Sequence, residues 1–124
     1  MEYSDVPAKV EARLRKICLA LPDVYEEKAW VGSRWLIRRR NFAFVLGVDE
    51  KVVVVFRSAP PELDALVHAG HPFFGAGYGK NVVGMVIDDD TDWKELAELL
   101  ADSYCILAPK KLAALVAEGD TPRH

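Results

Sequence analysis

The stretch WVGSRWLIRRRNFAFVLGVDEKVVVVFR, residues 30–57, decides the fold. It is dense in β-branched and aromatic side chains, which suit a pleated, half-buried surface. Trp35 and Ile37 alternate with Arg34, Leu36 and Arg38, and Phe42, Phe44 and Leu46 alternate with Ala43 and Val45. That period of two predicts strands with distinct faces. Arg39-Arg40-Asn41 and residues 47–51 are the predicted turns, Asn being tolerant of positive φ. Val52 to Phe56 is apolar at nearly every position, as a central or doubly covered strand would be. The stretch reads as a three-stranded antiparallel meander against which helices pack.

The flanks supply those helices. Upstream, Val10, Leu14, Ile17, Cys18 and Leu21 form one apolar stripe, so a helix is expected from Val6 or Pro7 to Leu21, with Asp5 as its N-cap and Pro22 as its stop. Residues 22–29, PDVYEEKA, read as a solvated turn. There the adjacent Glu26 and Glu27 have no apolar pocket to shift them toward acid–base work. Downstream, Ser58 is the expected cap of a second helix carrying Leu63, Leu66 and Val67 and closed by Gly70. The irregular segment HPFFGAGYGKN, residues 71–81, leads to a fourth strand, Val82 to Ile87. Asp92 with Glu95 resembles a capping box. It opens a helix with Trp93, Leu96, Ala97, Leu100 and Tyr104 on one face. Pro109 starts a short last helix through Ala117, and residues 119–124 read as a frayed tail.

A chain of 124 residues suits one domain, residues 1–124, and 51% hydrophobic residues can fill its core. No apolar run approaches the roughly 20 residues of a membrane span, and the first ten residues lack a charged-then-apolar signal pattern. A cytoplasmic protein is the expectation. Cys18 and Cys105 share no CxxC spacing and read as small buried hydrophobes. The net charge of −3 disfavours non-specific nucleic-acid binding by the whole surface. Its distribution is uneven. Residues 28–57 hold seven basic side chains against two acidic ones, a net of +5, whereas residues 85–104 hold seven acids against Lys94, a net of −6. Two accounts stay open. The two segments neighbour and neutralise one another, which is the commoner fate of charge runs, or the basic face meets an anionic partner.

No constellation for catalysis is visible. Gly75-Ala76-Gly77-Tyr78-Gly79-Lys80 resembles a phosphate-cradling loop, but a helix is expected before it and a strand after it, the reverse of what such a loop needs. Asn81 also stands where a Walker-type loop has Ser or Thr. Asp88, Asp90 and Asp92 alternate as calcium ligands do, yet Trp93 replaces the required glycine and Leu99 the closing glutamate. His68 and His71 have no third ligand nearby, and no serine lies in a nucleophile elbow. No catalytic residue, metal or cofactor is therefore expected, and the chain reads as non-enzymatic. What is left is the set Arg34, Arg38, Arg40, Lys51, Arg57, Tyr78 and Lys80, cations and an aromatic suited to phosphates and bases. The same arginines equally suit a solvated sheet face.

Several segments together resemble the MmcQ/YjbR family of small bacterial proteins over roughly residues 8–112. They are ALPDVYEEKAW, LIRRRNFAFV, VVVFRSAPPELDALV, PFFGAGYGKN and DDDTDWKELAELLADSYCILAPKKL, the last with Asp92-Trp93 and Ser103-Tyr104 before Ala108-Pro109. The resemblance implies an α+β two-layer sandwich of the frataxin/CyaY type, an antiparallel sheet with helices on one face, described as a double-wing, DNA-binding-like architecture. It also implies basic residues at Arg40, Arg57 and Lys80. One departure is Val82, where many members carry tryptophan. The expected function is a non-enzymatic module that binds DNA through the basic sheet face, as a monomer or weak homodimer and with no membrane contact. The alternative is a small-molecule or regulatory domain with a pocket at the 71–81 loop.

Overall fold

The computed structural model describes residues 2–77 and 79–119, with the side chains of residues 117–119 excepted. Eleven elements run in the order β1 (Tyr3–Ser4), α1 (Ala8–Leu19), β2 (Tyr25–Lys28), β3 (Ser33–Ile37), β4 (Arg40–Val48), β5 (Lys51–Arg57), α2 (Pro60–Ala69), β6 (Phe73–Gly75), β7 (Val82–Ile87), α3 (Trp93–Leu107) and α4 (Lys110–Gly119). The expected meander is β3-β4-β5. It forms the middle of a seven-stranded antiparallel sheet of order β2-β3-β4-β5-β7-β6, with β1 paired to the far end of β4. The apolar β5 is central, as its composition requires.

Three strands lay outside the sequence reading, and each has a physical reason. Residues 25–28, expected as a solvated turn, form the edge strand β2 against β3. The pairing places Glu26 beside Trp35, where Glu26 accepts the indole N–H at 2.9 Å and a two-pronged bond from Arg15 of α1 at 2.8 and 3.0 Å. Hydrogen bonding to Arg15, with the Trp35 bond and the nearby positive charge, holds the Glu26 carboxyl below its ordinary range despite partial burial. Likewise β1 and β6 are two and three residues long, too short for periodicity to mark.

The turns also differ from expectation. The β3–β4 turn is Arg38-Arg39, not residues 39–41, and both arginines have left-handed φ, 51° and 69°. Asp49 and Glu50 repeat this at the β4–β5 turn with 51° and 66°. Both are two-residue hairpins with the twist that primed turns supply. The cap of α1 is Pro7 rather than Asp5 and that of α2 is Ala59 rather than Ser58, neither with a side-chain bond. Asp92 caps α3 as expected, its carboxylate accepting the Glu95 N–H at 3.0 Å. Of the expected tail, Gly119 ends α4, and residues 120–124 lie outside the described ones.

The helices lie on one face of the sheet. Leu14 and Cys18 of α1, Leu96, Leu100 and Tyr104 of α3, and Leu112 and Val116 of α4 share one core with Trp35, Ile37, Val45, Val54, Phe56, Val83 and Met85. Leu63 and Leu66 bring α2 to the same side. Cys18 is buried and its thiol is pushed far up by desolvation, while Cys105 is only partly buried.

The helix layer is tied to the sheet at one point. Phe42 is unmatched in the β3–β4 register, because Trp35 faces Ala43 while Leu36 faces Asn41. This bulge turns Phe42 onto the helix side beside Ala43, where its ring meets that of Tyr104 edge-on at 5.7 Å. Strict alternation had put Phe42 with Phe44. The β4–β5 ladder ends at the pair Ala43–Phe56, which leaves the Phe42 carbonyl and the Arg57 N–H without strand partners. The buried Ser103 hydroxyl takes both, donating to Phe42 O at 2.6 Å and accepting from Arg57 N–H at 2.8 Å.

Removing that hydroxyl strands two backbone groups in a dry interior. Ser103→Ala is expected to lower unfolding stability by about 1–3 kcal/mol in urea denaturation, although alanine is the better helix former. Breaking the edge clamp has a pH signature. Because the folded Glu26 pKa is depressed, its contribution is full above the unfolded glutamate pKa and is lost as pH falls toward the folded value. Glu26→Gln should therefore cost about 1–2 kcal/mol at neutral pH and flatten the acid limb of a stability–pH profile.

Candidate functional site: the basic end of the open sheet face

Among the described residues, the second face of the sheet carries no helix. Phe44 and Leu46 of β4, Val53 and Val55 of β5, and Phe74 and Val82 form a separate apolar layer there. The Phe74 ring lies over Gly84, where a Cβ would come within 2.5 Å of it, so a larger residue at 84 would have to displace the ring.

Strand register sorts the charges to opposite ends of this face. Residues 38–40, the C-terminal end of β5 at Arg57 and the start of β7 at Val82 lie at one end, since Ala43 pairs with Phe56 and Arg57 with Val82. Lys80 lies two residues before that start, and the intervening Asn81 carbonyl is tied to Ser58 N–H at 2.9 Å. At the other end are Asp49, Glu50 and the acidic turn after Ile87, because Val48 pairs with Lys51 and Val52 with Ile87. The molecule thus has a basic end (Arg38, Arg39, Arg40, Arg57, Lys80) and an acidic end.

The sequence-derived candidates divide accordingly. Arg38, Arg40, Arg57 and Lys80 are brought to the basic end. Lys51 sits at the acidic end. Arg34 lies mid-sheet and is occupied by Glu27 across the β2–β3 pair at 2.6 Å. Tyr78 lies outside the described residues. Arg38 reaches Asp23 at 3.7 Å with both side chains 62% exposed, a pair of small energetic weight. Arg39 and Arg40 are exposed and make no ion pair among the described residues. The pairs of Arg34 and Arg38 are thus with local acids, not with residues 85–104. Arg39 did not stand out in the sequence, where the three arginines look alike. Its place at the hairpin tip follows from the turn, one residue earlier than expected.

Left-handed backbone costs a residue with a Cβ about 1–2 kcal/mol, and Asn-Gly is the preferred tip of such a hairpin. This hairpin instead places two arginines there, strain of the kind that gathers at functional sites.

Beside the tip, where the β4–β5 ladder ends at Ala43–Phe56, a concavity of about 140 Å³ lies between residues 41–44 and 55–57, with Val82 at its edge. Phe44, Val55 and Val82 give apolar surface, and Asn41 and Arg57 bring polar groups. Asn41 is half-buried, and its Oδ1 accepts the Ala43 N–H at 3.1 Å. Val82, where the family resemblance expects tryptophan, is one of the residues bounding this space.

The other motifs serve the backbone. Residues 76–81 join strand β6 to strand β7, so a strand, not a helix, precedes them, and no helix N-terminus follows to face a phosphate. Asp88 accepts the Asp90 N–H at 2.9 Å and Thr91 Oγ1 accepts the Asp88 N–H at 2.8 Å, a self-satisfied turn. His71 stands 3.7 Å from Asp88. Among the described residues no group of three His, Cys, Asp or Glu side chains could hold a metal ion, and no helix is long and apolar enough to cross a membrane.

An antiparallel sheet with helices on one face and a charge-polarised second face defines a small α+β domain. The YjbR family model matches residues 19–106, and the chain belongs to that family. The fold is shared with a Deinococcus radiodurans protein, DR2400, whose crystal structure contains a DUF419 domain. The two are 19% identical, with a TM-score of 0.64 over 86% of this chain and 78% of that one. No match was found among curated proteins.

Replacing Arg39 by glycine removes the left-handed penalty and adds only glycine's smaller chain-entropy cost. Arg39→Gly is expected to raise unfolding stability by up to about 1 kcal/mol in thermal denaturation.

Proposed function

We propose that this protein is a non-enzymatic DNA-binding module whose basic end contacts the phosphate backbone. The observation that carries the reading is the β3–β4 hairpin, which accepts left-handed strain to hold Arg38 and Arg39 at its tip, next to Arg40, with Arg39 and Arg40 exposed and making no ion pair among the described residues. Arginine's planar fork matches phosphate oxygens in pairs. Arg57 and Lys80 extend the positive strip across the sheet end. The opposed acidic end repels phosphate and so orients the encounter, which makes an acidic chain compatible with binding through one pole.

A second reading has its own support in the concavity between residues 41–44 and 55–57. It is a small concave space in which apolar and polar groups converge, as they do in small-molecule sites. It lies at the bulge, with Val82 just past the glycine-rich loop at its edge.

Each phosphate neutralised adds about −0.9 to the slope of log affinity against log salt. Using most of the five cations at the basic end gives a slope of about −3 to −4. The triple variant Arg38→Ala, Arg39→Ala, Arg40→Ala should flatten it by about 3 and weaken binding uniformly across sequences, as read by fluorescence anisotropy on labelled DNA. Absence of binding at low salt, or an unchanged slope in the triple variant, contradicts the reading.

A further inference from the structure

We propose that the exposed aromatic pair Tyr3–Trp30 docks the arginine hairpin tip of a second copy of this chain, so that the protein self-associates head to tail. Trp30 is 84% exposed, the most of any large apolar side chain among the described residues. Tryptophan is largely buried on average, and it is over-represented where partners dock. The fold holds this one outward. The Ala29 N–H donates to the Gly32 carbonyl at 3.0 Å, which puts Trp30 and Val31 at the tip of the β2–β3 hairpin. Val31 packs on the apolar layer of the open sheet face, and Trp30 is left outside it. There Tyr3 meets the indole edge-on, with ring centroids 5.3 Å apart. Tyr3 is itself fixed by its pairing with Val48 and by two bonds between Glu2 and Asp49, at 2.8 and 2.9 Å.

The surroundings define the occupant. Glu2, Asp49 and Glu50 stand beside Tyr3 against Lys51 alone, a net negative charge. Lys28, at the foot of the Trp30 turn, is engaged by Glu11 at 3.4 Å. A π face among carboxylates suits a cation, and arginine best, since its planar guanidinium also stacks. The chain makes this contact internally, with Arg13 over the Trp93 ring at 4.4 Å. Matching cations lie at the opposite end of the same strands. Arg39 and Arg40 are exposed and make no ion pair among the described residues, and Arg38 has only its weak pair with Asp23. Tyr3 faces Val48 at one end of β4 and the tip adjoins Arg40 at the other, about 27 Å away along the strand. No arginine side chain spans that distance, so the contact forms between molecules. It joins two different surfaces. Each copy therefore keeps a free tip at one end and a free aromatic pair at the other, and association runs to open chains. A docked tip is closed to phosphate, but the contact needs no nucleic acid and does not rest on the DNA reading.

The test is sedimentation velocity of the full chain at low salt and without nucleic acid. Concentrations run up to about 1 mM, because one aromatic contact and a few screened charges make a weak encounter. The sedimentation coefficient should rise with concentration and fall back at high salt. Trp30→Ala and the Arg38→Ala, Arg39→Ala, Arg40→Ala triple variant should each stay monomeric, with native circular dichroism. If the triple variant unfolds, Arg39→Gly with Arg40→Ala, whose glycine suits the left-handed tip, takes its place. Mixed in equal amounts, the tip variant and Trp30→Ala should form a 1:1 pair and nothing longer, since one supplies the aromatic pair and the other the tip. In the ¹⁵N-labelled tip variant, the Trp30 indole N–H should shift when unlabelled Trp30→Ala is added and stay still when more tip variant is added. A monomeric unmodified chain, association that survives Trp30→Ala, or two folded variants that fail to pair overturns the proposal. An indole that shifts with a free oligo-arginine peptide while the unmodified chain stays monomeric also overturns it, and gives the pair to a basic segment of another protein.

Discussion

The Ser103 hydroxyl is the point on which the two layers depend. A bulge in a central strand detaches backbone groups from the ladder, and buried unpaired groups cost about 1–3 kcal/mol each. One hydroxyl, both donor and acceptor, satisfies the two groups freed here, the Phe42 carbonyl and the Arg57 N–H. The bulge can then turn Phe42 onto Tyr104 and fix α3 across β4 and β5. Tyr104 carries the link further, its hydroxyl donating to the Pro22 carbonyl at 2.8 Å. From there Glu26 joins β2 to α1 through Arg15. A short chain of polar bonds thus fixes where the helix layer sits on an otherwise apolar contact.

The end of the same ladder marks the other face. The concavity lies where β4–β5 pairing stops at Ala43–Phe56, with Arg57 beside it. Antiparallel register then carries residues 38–40 to the same end and the aspartates after β7 to the opposite one. Polarity along the sheet is therefore a product of strand order, not of neutralisation between the basic and acidic segments. An acidic protein can present one basic pole when successive turns fall at alternate ends.

The fold was legible where side chains repeat over several residues. The β3-β4-β5 meander, β7 and the helices follow from periodicity, the one-sided helix layer follows from the family resemblance, and Asp92 with Glu95 marks the start of α3. The failures have specific physics. Glu26 and Glu27 look like turn residues because a carboxylate bonded to buried Trp35 needs a partner from α1, and that contact is tertiary. Phe42 violates alternation because a bulge leaves no local signature beyond the Asn41 side chain that caps it. The arginine turn came out one residue late because Asn41 advertises positive φ, while the residues that adopt it, Arg38 and Arg39, carry no such mark. The candidate cations were visible as types. Their division between the two ends needed the register, which moved Lys51 away from Arg40 and Arg57 and brought Arg39 to the tip.

Native-state hydrogen exchange at the Arg57 amide tests the account most directly, because that N–H lies beyond the β4–β5 ladder and is protected only through Ser103. The account predicts that it exchanges with the slow amides of β5, opening at a free energy near that of global unfolding, and joins the fast class in Ser103→Ala. Rapid exchange of the Arg57 amide in the unmodified protein, at rates typical of surface turns, would contradict it.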